Sequence, residues 1–324
     1  MKISKLIMAA LALLVAFASV PPALAGEVTI GVLYLDSQGY YAGVRNGLEK
    51  ASAASTVKVK ILDSNSAGDL SKENSFIDTM TASKVSAIVV SASSADGSVK
   101  AIRAASQAGI PVICYNTCVN QQGIDKYVYS YVVGDAFKFG QKLGNAAADY
   151  LIKANIQHPR IGVLNCEFVE VCVQRRKGFE QALISRVPDA KIVANQEATI
   201  LDKAISTGQT MLSSRPDINV LVGESGGATL GAAKAVEKSG KTGSVVVFGC
   251  DMTTEIAKEI ASGKTLKASV DVSGTEVGKL AFAQAMDAVS GKKAADKIVP
   301  TTISLYASPE AGNAWLQAHA DGLP

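Results

Sequence analysis

The chain has 324 residues, 48% hydrophobic and 19% charged, a composition that gives no sign of disorder and exceeds what one compact core usually holds, so two domains are expected. Its formal charge is +3, and removal of a leader carrying Lys2 and Lys5 would leave it near +1, too close to neutral to argue for nucleic acid or an anionic membrane surface as a partner. Only His158 and His319 are present, and neither belongs to a cluster with metal-ligand spacing, so no metal, no cofactor and no Ser-His-Asp triad are expected.

Residues 1–25 combine a basic start, an apolar stretch from Leu6 to Val20 and an Ala23-Leu24-Ala25 end, the three parts of a cleaved secretory signal. The apolar stretch falls short of a bilayer span, and position 26 is Gly rather than a lipid-accepting Cys, so the expected product is a protein exported to the periplasm and freed there. In that oxidising compartment each of Cys114, Cys118, Cys166, Cys172 and Cys250 is a candidate for pairing, and at least one stays free in a monomer.

Beyond the leader, β-branched runs alternate with segments of helical period. Strands are predicted at Val28–Leu35, Val57–Asp63, Ser86–Ala92 and Pro111–Asn116, with helices near Tyr41–Ala53, Lys72–Ser83 and Gly97–Ala108 between them. After a Tyr- and Val-rich run at Tyr127–Gly134 and a long helix from Asp135 to about Lys153, a second series begins. Its strands are Arg160–Asn165, Lys191–Asn195, Val220–Gly223 and Ser244–Gly249, and its helices lie near Val173–Val187, Asp202–Ser214, Ala228–Ser239 and Thr253–Ser262. Repeated β-then-α predicts two doubly wound parallel-sheet α/β units, since parallel strands need a crossover and a helix supplies it.

Ligands of such sheets bind beyond the carboxyl ends of the strands, which selects residues at Asp36–Gly39, Asp63–Asn65, Ser91–Ser94, Asn116-Thr117, Cys166–Phe168, Glu224–Gly226 and Asp251. Gln38 lies just ahead of the adjacent aromatics Tyr40 and Tyr41, which either stack on the apolar face of a small polar ligand or pack as helix-start core residues. Arg175, in a cation-rich stretch predicted to open a helix, opposes the helix dipole there and offers a planar fork for hydroxyls or a carboxylate. Asp251 is either the N-cap of the following helix or an acceptor for ligand hydroxyls. The Gly-rich stretch Gly223–Ala228 lacks phosphate-loop spacing and is predicted to be a tight turn with Glu224 or Ser225 facing the crevice. Cys114/Cys118 and Cys166/Cys172 each lie in one strand-end loop, where a disulfide requires a tight turn.

These residues, with Leu62-Asp63-Ser64-Asn65, Gly109-Ile110-Pro111-Val112-Ile113, Gly134-Asp135, Arg175-x-x-Gly178-Phe179, Leu230-Gly231-Ala232 and Gly249-Cys250-Asp251, make the chain resemble the type I periplasmic solute-binding proteins of ABC importers, the ribose- and galactose-binding kind. The resemblance implies a non-enzymatic, monomeric receptor whose two lobes, joined by three crossings, close on one small polar solute and deliver it to a membrane ABC permease. It implies an N-terminal lobe of 26–132 plus 273–300 and a C-terminal lobe of 133–272 plus 301–324. The residues carried over as ligand contacts are Gln38, Tyr40, Tyr41, Arg175 and Asp251, with Asn116 and Ser225 completing the set. Asn116-Thr117 stands where such sugar binders usually carry Asp-Arg, Ser225-Gly226 where they carry Asn-Asp, and Val272 where they carry Gln. With those hydroxyl-reading groups gone, the expected solute widens from a pyranose to a sugar, sugar alcohol or related small alcohol. The same fold could instead report occupancy to a membrane sensor kinase.

Overall fold

The computed structural model describes residues 27–324, and the leader assigned to residues 1–25 lies outside them. Among the described residues, two six-stranded sheets form. The first contains β1 (Val28–Tyr34), β2 (Val59–Asn65), β3 (Ala87–Val90), β4 (Val112–Tyr115), β5 (Ser130–Val133) and β11 (Ile298–Pro300), in spatial order β11-β5-β4-β3-β1-β2. The second contains β6 (Arg160–Asn165), β7 (Lys191–Glu197), β8 (Val220–Gly223), β9 (Val246–Cys250), β10 (Leu266–Asp271) and β12 (Ser304–Tyr306), in order β12-β10-β9-β8-β6-β7. All neighbours pair in parallel except β10 with β12.

Central strands such as β3, β4 and β8 are buried along their whole length, as expected where helices cover both faces. In the first lobe the covering helices include α1 (Tyr40–Ala53), α2 (Leu70–Ala82), α3 (Val99–Gln107), α4 (Gln121–Tyr127) and α10 (Gly274–Val289). In the second they include α5 (Ala136–Lys153), α6 (Glu170–Arg186), α7 (Leu201–Ser214), α8 (Gly226–Lys238), α9 (Thr254–Ser262) and α11 (Pro309–Ala318).

The chain passes between sheets three times, from β5 to α5, from β10 to α10 and from β11 to β12. These crossings lie side by side: a Cβ placed on Gly134 would meet the side chains of Val272, Thr301 and Ile303. One sequence expectation needs correction. Helix α6 starts at Glu170 rather than at Val173, so Arg175 sits in its second turn and not against the positive end of the dipole.

Both local cysteine pairs form disulfides, Cys114–Cys118 and Cys166–Cys172, with Cα separations of 5.5 and 5.6 Å, and Cys250 is free and buried. Closing rings this small contributes only about 2 kcal/mol through chain entropy, so the bonds matter at least as much for the shape of two strand-end loops. Thiol titration of the unfolded, unreduced mature protein should find one thiol. A count of five would show that neither bridge forms.

Candidate functional site

The carboxyl ends of the two sheets face one another, and residues from both line a single small cavity: Tyr40 and Asn116 from the first lobe, Phe139, Val171 and Arg175 from the second, and Val133 and Val272 at the crossings. Tyr40 is half-buried at the start of α1, with its ring edge-on to Tyr41 at 5.2 Å. Burial lifts its hydroxyl well above the usual phenol range, keeping it a neutral donor and acceptor.

Asn116 owes its position to the Cys114–Cys118 ring, which folds the end of β4 back on itself and sets Asn116 at φ 55°. Asn tolerates that left-handed region better than most residues. Its Nδ2 donates to the Tyr41 hydroxyl at 2.8 Å, which also lies 3.2 Å from Ser91 Oγ, and Ser91 Oγ in turn lies 2.7 Å from Thr117 Oγ1. The Tyr131 hydroxyl donates to the Asn116 carbonyl at 2.6 Å. Tyr41, its hydroxyl pushed up to about 12 by burial, is therefore committed to holding Asn116, while Tyr40 is the ring at the cavity.

On the opposite wall Arg175 is only 13% exposed and Asp251 19%, with Nη1 3.6 Å from Oδ1. Arg175 also donates through Nη1 to the Glu224 carbonyl at 3.4 Å and lies 4.1 Å over the Phe139 ring, a cation–π contact that fixes the plane of the fork. Burial pulls its pKa down, but Asp251 together with Cys250, Tyr40 and Glu224 more than offsets that, so the net shift is upward and the guanidinium stays charged. Asp251, at φ 65°, does not cap its own helix, since Thr253 does so through Ile256 N–H. Its Oδ2 instead accepts the Gly226 N–H at 2.8 Å, the first of α8, where a helix N-terminus favours an anion. Burial raises the Asp251 pKa against the opposing pull of Arg175 and that N–H.

Ser225 caps α8 by accepting Ala228 N–H at 3.3 Å, and its hydroxyl donates to the Thr199 carbonyl at 3.4 Å. Residues Gly223-Glu224-Ser225-Gly226-Gly227 also show Gly-x-Ser-x-Gly spacing on a strand-to-helix turn, the pattern of a nucleophile elbow. Neither histidine hydrogen-bonds Ser225, whose hydroxyl is engaged with the Thr199 carbonyl and Ala228 N–H, while His158 pairs with Asp189 and His319 bonds the Trp315 carbonyl. Gln38 is exposed on the turn before α1, its carbonyl accepting Tyr41 N–H, and stands outside the group around Arg175.

Phe139 and Val171 were not singled out in the sequence, because nothing in the linear pattern shows that α5 and α6 place them beside Arg175. Two further acids stand behind the wall. Glu224 accepts Cys166 N–H at 3.2 Å, and burial raises its pKa to about 7; Asp271 accepts Met252 N–H at 3.1 Å, and burial with the nearby Asp251 raises its pKa to about 8. In the unfolded chain both ionise near pH 4, so between there and pH 7–8 the folded state binds more protons. Their contribution to stability is present below about pH 4 and is lost as pH rises through 7–8. Thermal melts from pH 5 to 8.5 should show a fall in Tm that flattens in Glu224→Gln; an unchanged slope in that variant would remove Glu224 from the account.

Two parallel α/β lobes, three adjacent crossings and a polar cleft at the carboxyl ends of both sheets define the type I periplasmic binding protein architecture. The chain belongs to the periplasmic binding protein family, whose domain matches residues 30–293. It is 56% identical over 298 residues, 92% of this chain and 91% of the relative, to the ABC transporter periplasmic-binding protein YphF of Escherichia coli K12. It is 26% identical to the ribose import binding protein RbsB of Bacillus subtilis 168, over 82% of this chain and 83% of that one. A solute-binding protein of Actinobacillus succinogenes 130Z solved with bound D-allose shares the fold with a TM-score of 0.79 at 22% identity, covering 89% of this chain and 99% of that one.

Proposed function

We propose that the protein is a periplasmic receptor that captures one small polyhydroxylated solute, a sugar, sugar alcohol or related small alcohol, between its lobes and delivers it to a membrane ABC permease. It works as a monomer and catalyses no reaction. The observation that carries this reading is the placement of Tyr40 and Asn116 on one lobe and Arg175 on the other around one cavity, with Asp251 paired to Arg175 behind it. Arg175 donates to solute oxygens, Asp251 accepts from solute hydroxyls, Asn116 does either, and the Tyr40 ring covers an apolar face of the solute. The names of the relatives, one a ribose import binding protein and one solved with D-allose, support the same solute class.

A ligand touching both walls favours the closed arrangement by its differential contacts, with rotation at the crossings near Gly134, Val272 and Thr301. The lobes would comprise 26–132 plus 273–300 and 133–272 plus 301–324. A thermal-shift screen of the mature protein against sugars, polyols, small alcohols, amino acids and amines tests the proposal. A solute at ~1,000 times its Kd adds about 4 kcal/mol, a shift of several degrees. The expected hit is a polyhydroxylated compound; a response to amino acids or amines alone would contradict the solute class.

A further inference from the structure

The segment after α11 leaves one lobe and reaches the other. Helix α11 belongs to the second lobe: it packs on α9, Trp315 is buried in that lobe's core, and Gly312 sits against the backbone of Ala257 and Ala261. At its end His319 stacks on Trp315, with ring centroids 4.3 Å apart, and its N–H bonds the Trp315 carbonyl. The chain then turns at Gly322, whose φ of 74° favours glycine, close beside Thr254 at the start of α9.

The remaining residues seat on the first lobe. Asp321 pairs with Lys50 of α1 at 3.3 Å and also accepts Leu323 N–H. Pro324 is buried, and its main-chain oxygen accepts the N–H of Thr275 at 2.8 Å, in the first turn of α10. That oxygen lies over Gly43, at 2.5 Å from where a Cβ would stand, in the groove between α1 and α10. α1 and α10 carry, respectively, Tyr40 of the cavity and the chain emerging from the second crossing.

We infer that residues 319–324 form a non-covalent strap, a fourth link between the lobes, that holds the cleft toward the closed arrangement and slows its opening. Its contacts, to Lys50, Thr275 and the Gly43 groove on one lobe and to Trp315 and Thr254 on the other, form in the arrangement that gathers Tyr40, Asn116 and Arg175 around one cavity, so rotation of α1 and α10 away from α9 stretches the strap or detaches Pro324. Contacts present in only one of two arrangements shift the balance between them. The exposed Lys50–Asp321 pair steers the segment; the buried Pro324 and its bond to Thr275 supply the grip. The consequence for solute rests on the receptor reading, whereas the effect on the ligand-free shape does not.

The test is small-angle scattering of the ligand-free mature protein beside a chain stopped after Ala320. The stopped chain is expected to show a larger radius of gyration, and Asp321→Lys, which sets like charge against Lys50, a smaller shift in the same direction. Amide exchange at Thr275 should quicken in the stopped chain. With a solute in hand, the stopped chain should bind about threefold to tenfold more weakly, chiefly through faster release. Identical ligand-free radii for the intact and stopped chains would overturn the strap, whatever solute binds. Should the stopped chain fail to fold, an Asp321→Lys radius equal to that of the intact protein would overturn it.

Discussion

Arg175→Ala is expected to weaken solute binding ~100-fold or more, about 2.7 kcal/mol, in calorimetric titration of the purified protein. The guanidinium is nearly buried, stays charged, and contributes a donor fork that the surrounding chain aims at the cleft. Removing it also leaves Asp251 as a buried carboxylate with only the Gly226 N–H in support, so the loss includes the cost of an unpaired charge as well as the missing contact. Arg175→Lys keeps the charge but loses both the planar fork and the flat packing on Phe139, so it should recover only a minor part of the affinity. Titrations indistinguishable from the parent in both variants would remove Arg175 from the site.

Gly140→Ala should cost about 3 kcal/mol of stability and damage binding from a distance. Helices α5 and α6 approach so closely that a Cβ on Gly140 would fall on the Arg175 carbonyl oxygen, within 2.7 Å of the Arg175 carbonyl carbon and 2.8 Å of Phe179 N. Backbone atoms cannot rotate aside as a side chain can, so the helices must part and carry Arg175 away from Asp251. For a chain of this size the expected drop in Tm is about 5 °C. Gly226→Ala is the contrasting control, because there a Cβ meets Asp251 and Ile256 only at 3.5 Å or more. Its Tm should stay within a degree or two of the parent, and equal losses in the two variants would contradict the helix-crossing explanation.

Much of the fold was legible because its signals are local. Buried runs such as Arg160–Asn165 and Val220–Gly223 are continuous and β-branched, and the structure places strands with those bounds. The elements after Ser262 carried weak signals: β11 and β12 are three residues each, and α10 is rich in Gly and Ala, so its period is shallow. The strand-end rule gathered Asn116, Glu224 and Asp251 from the linear sequence, and the basic stretch gave Arg175. The division of labour between Tyr40 and Tyr41 was not legible, since it depends on Ser91 and Asn116 reaching the Tyr41 hydroxyl from other strands. The same holds for the partner of Asp251, which is the N-terminus of α8 rather than its own helix.

The central claim, capture of one solute between two lobes, is tested most directly by a crystal structure grown with the compound that the thermal screen selects. The solute is expected in the cavity lined by Tyr40, Asn116 and Arg175, with its hydroxyls within hydrogen-bond distance of Asn116 on one side and of Arg175 and Asp251 on the other. A solute held by one lobe alone, or bound outside this cleft, would contradict the account.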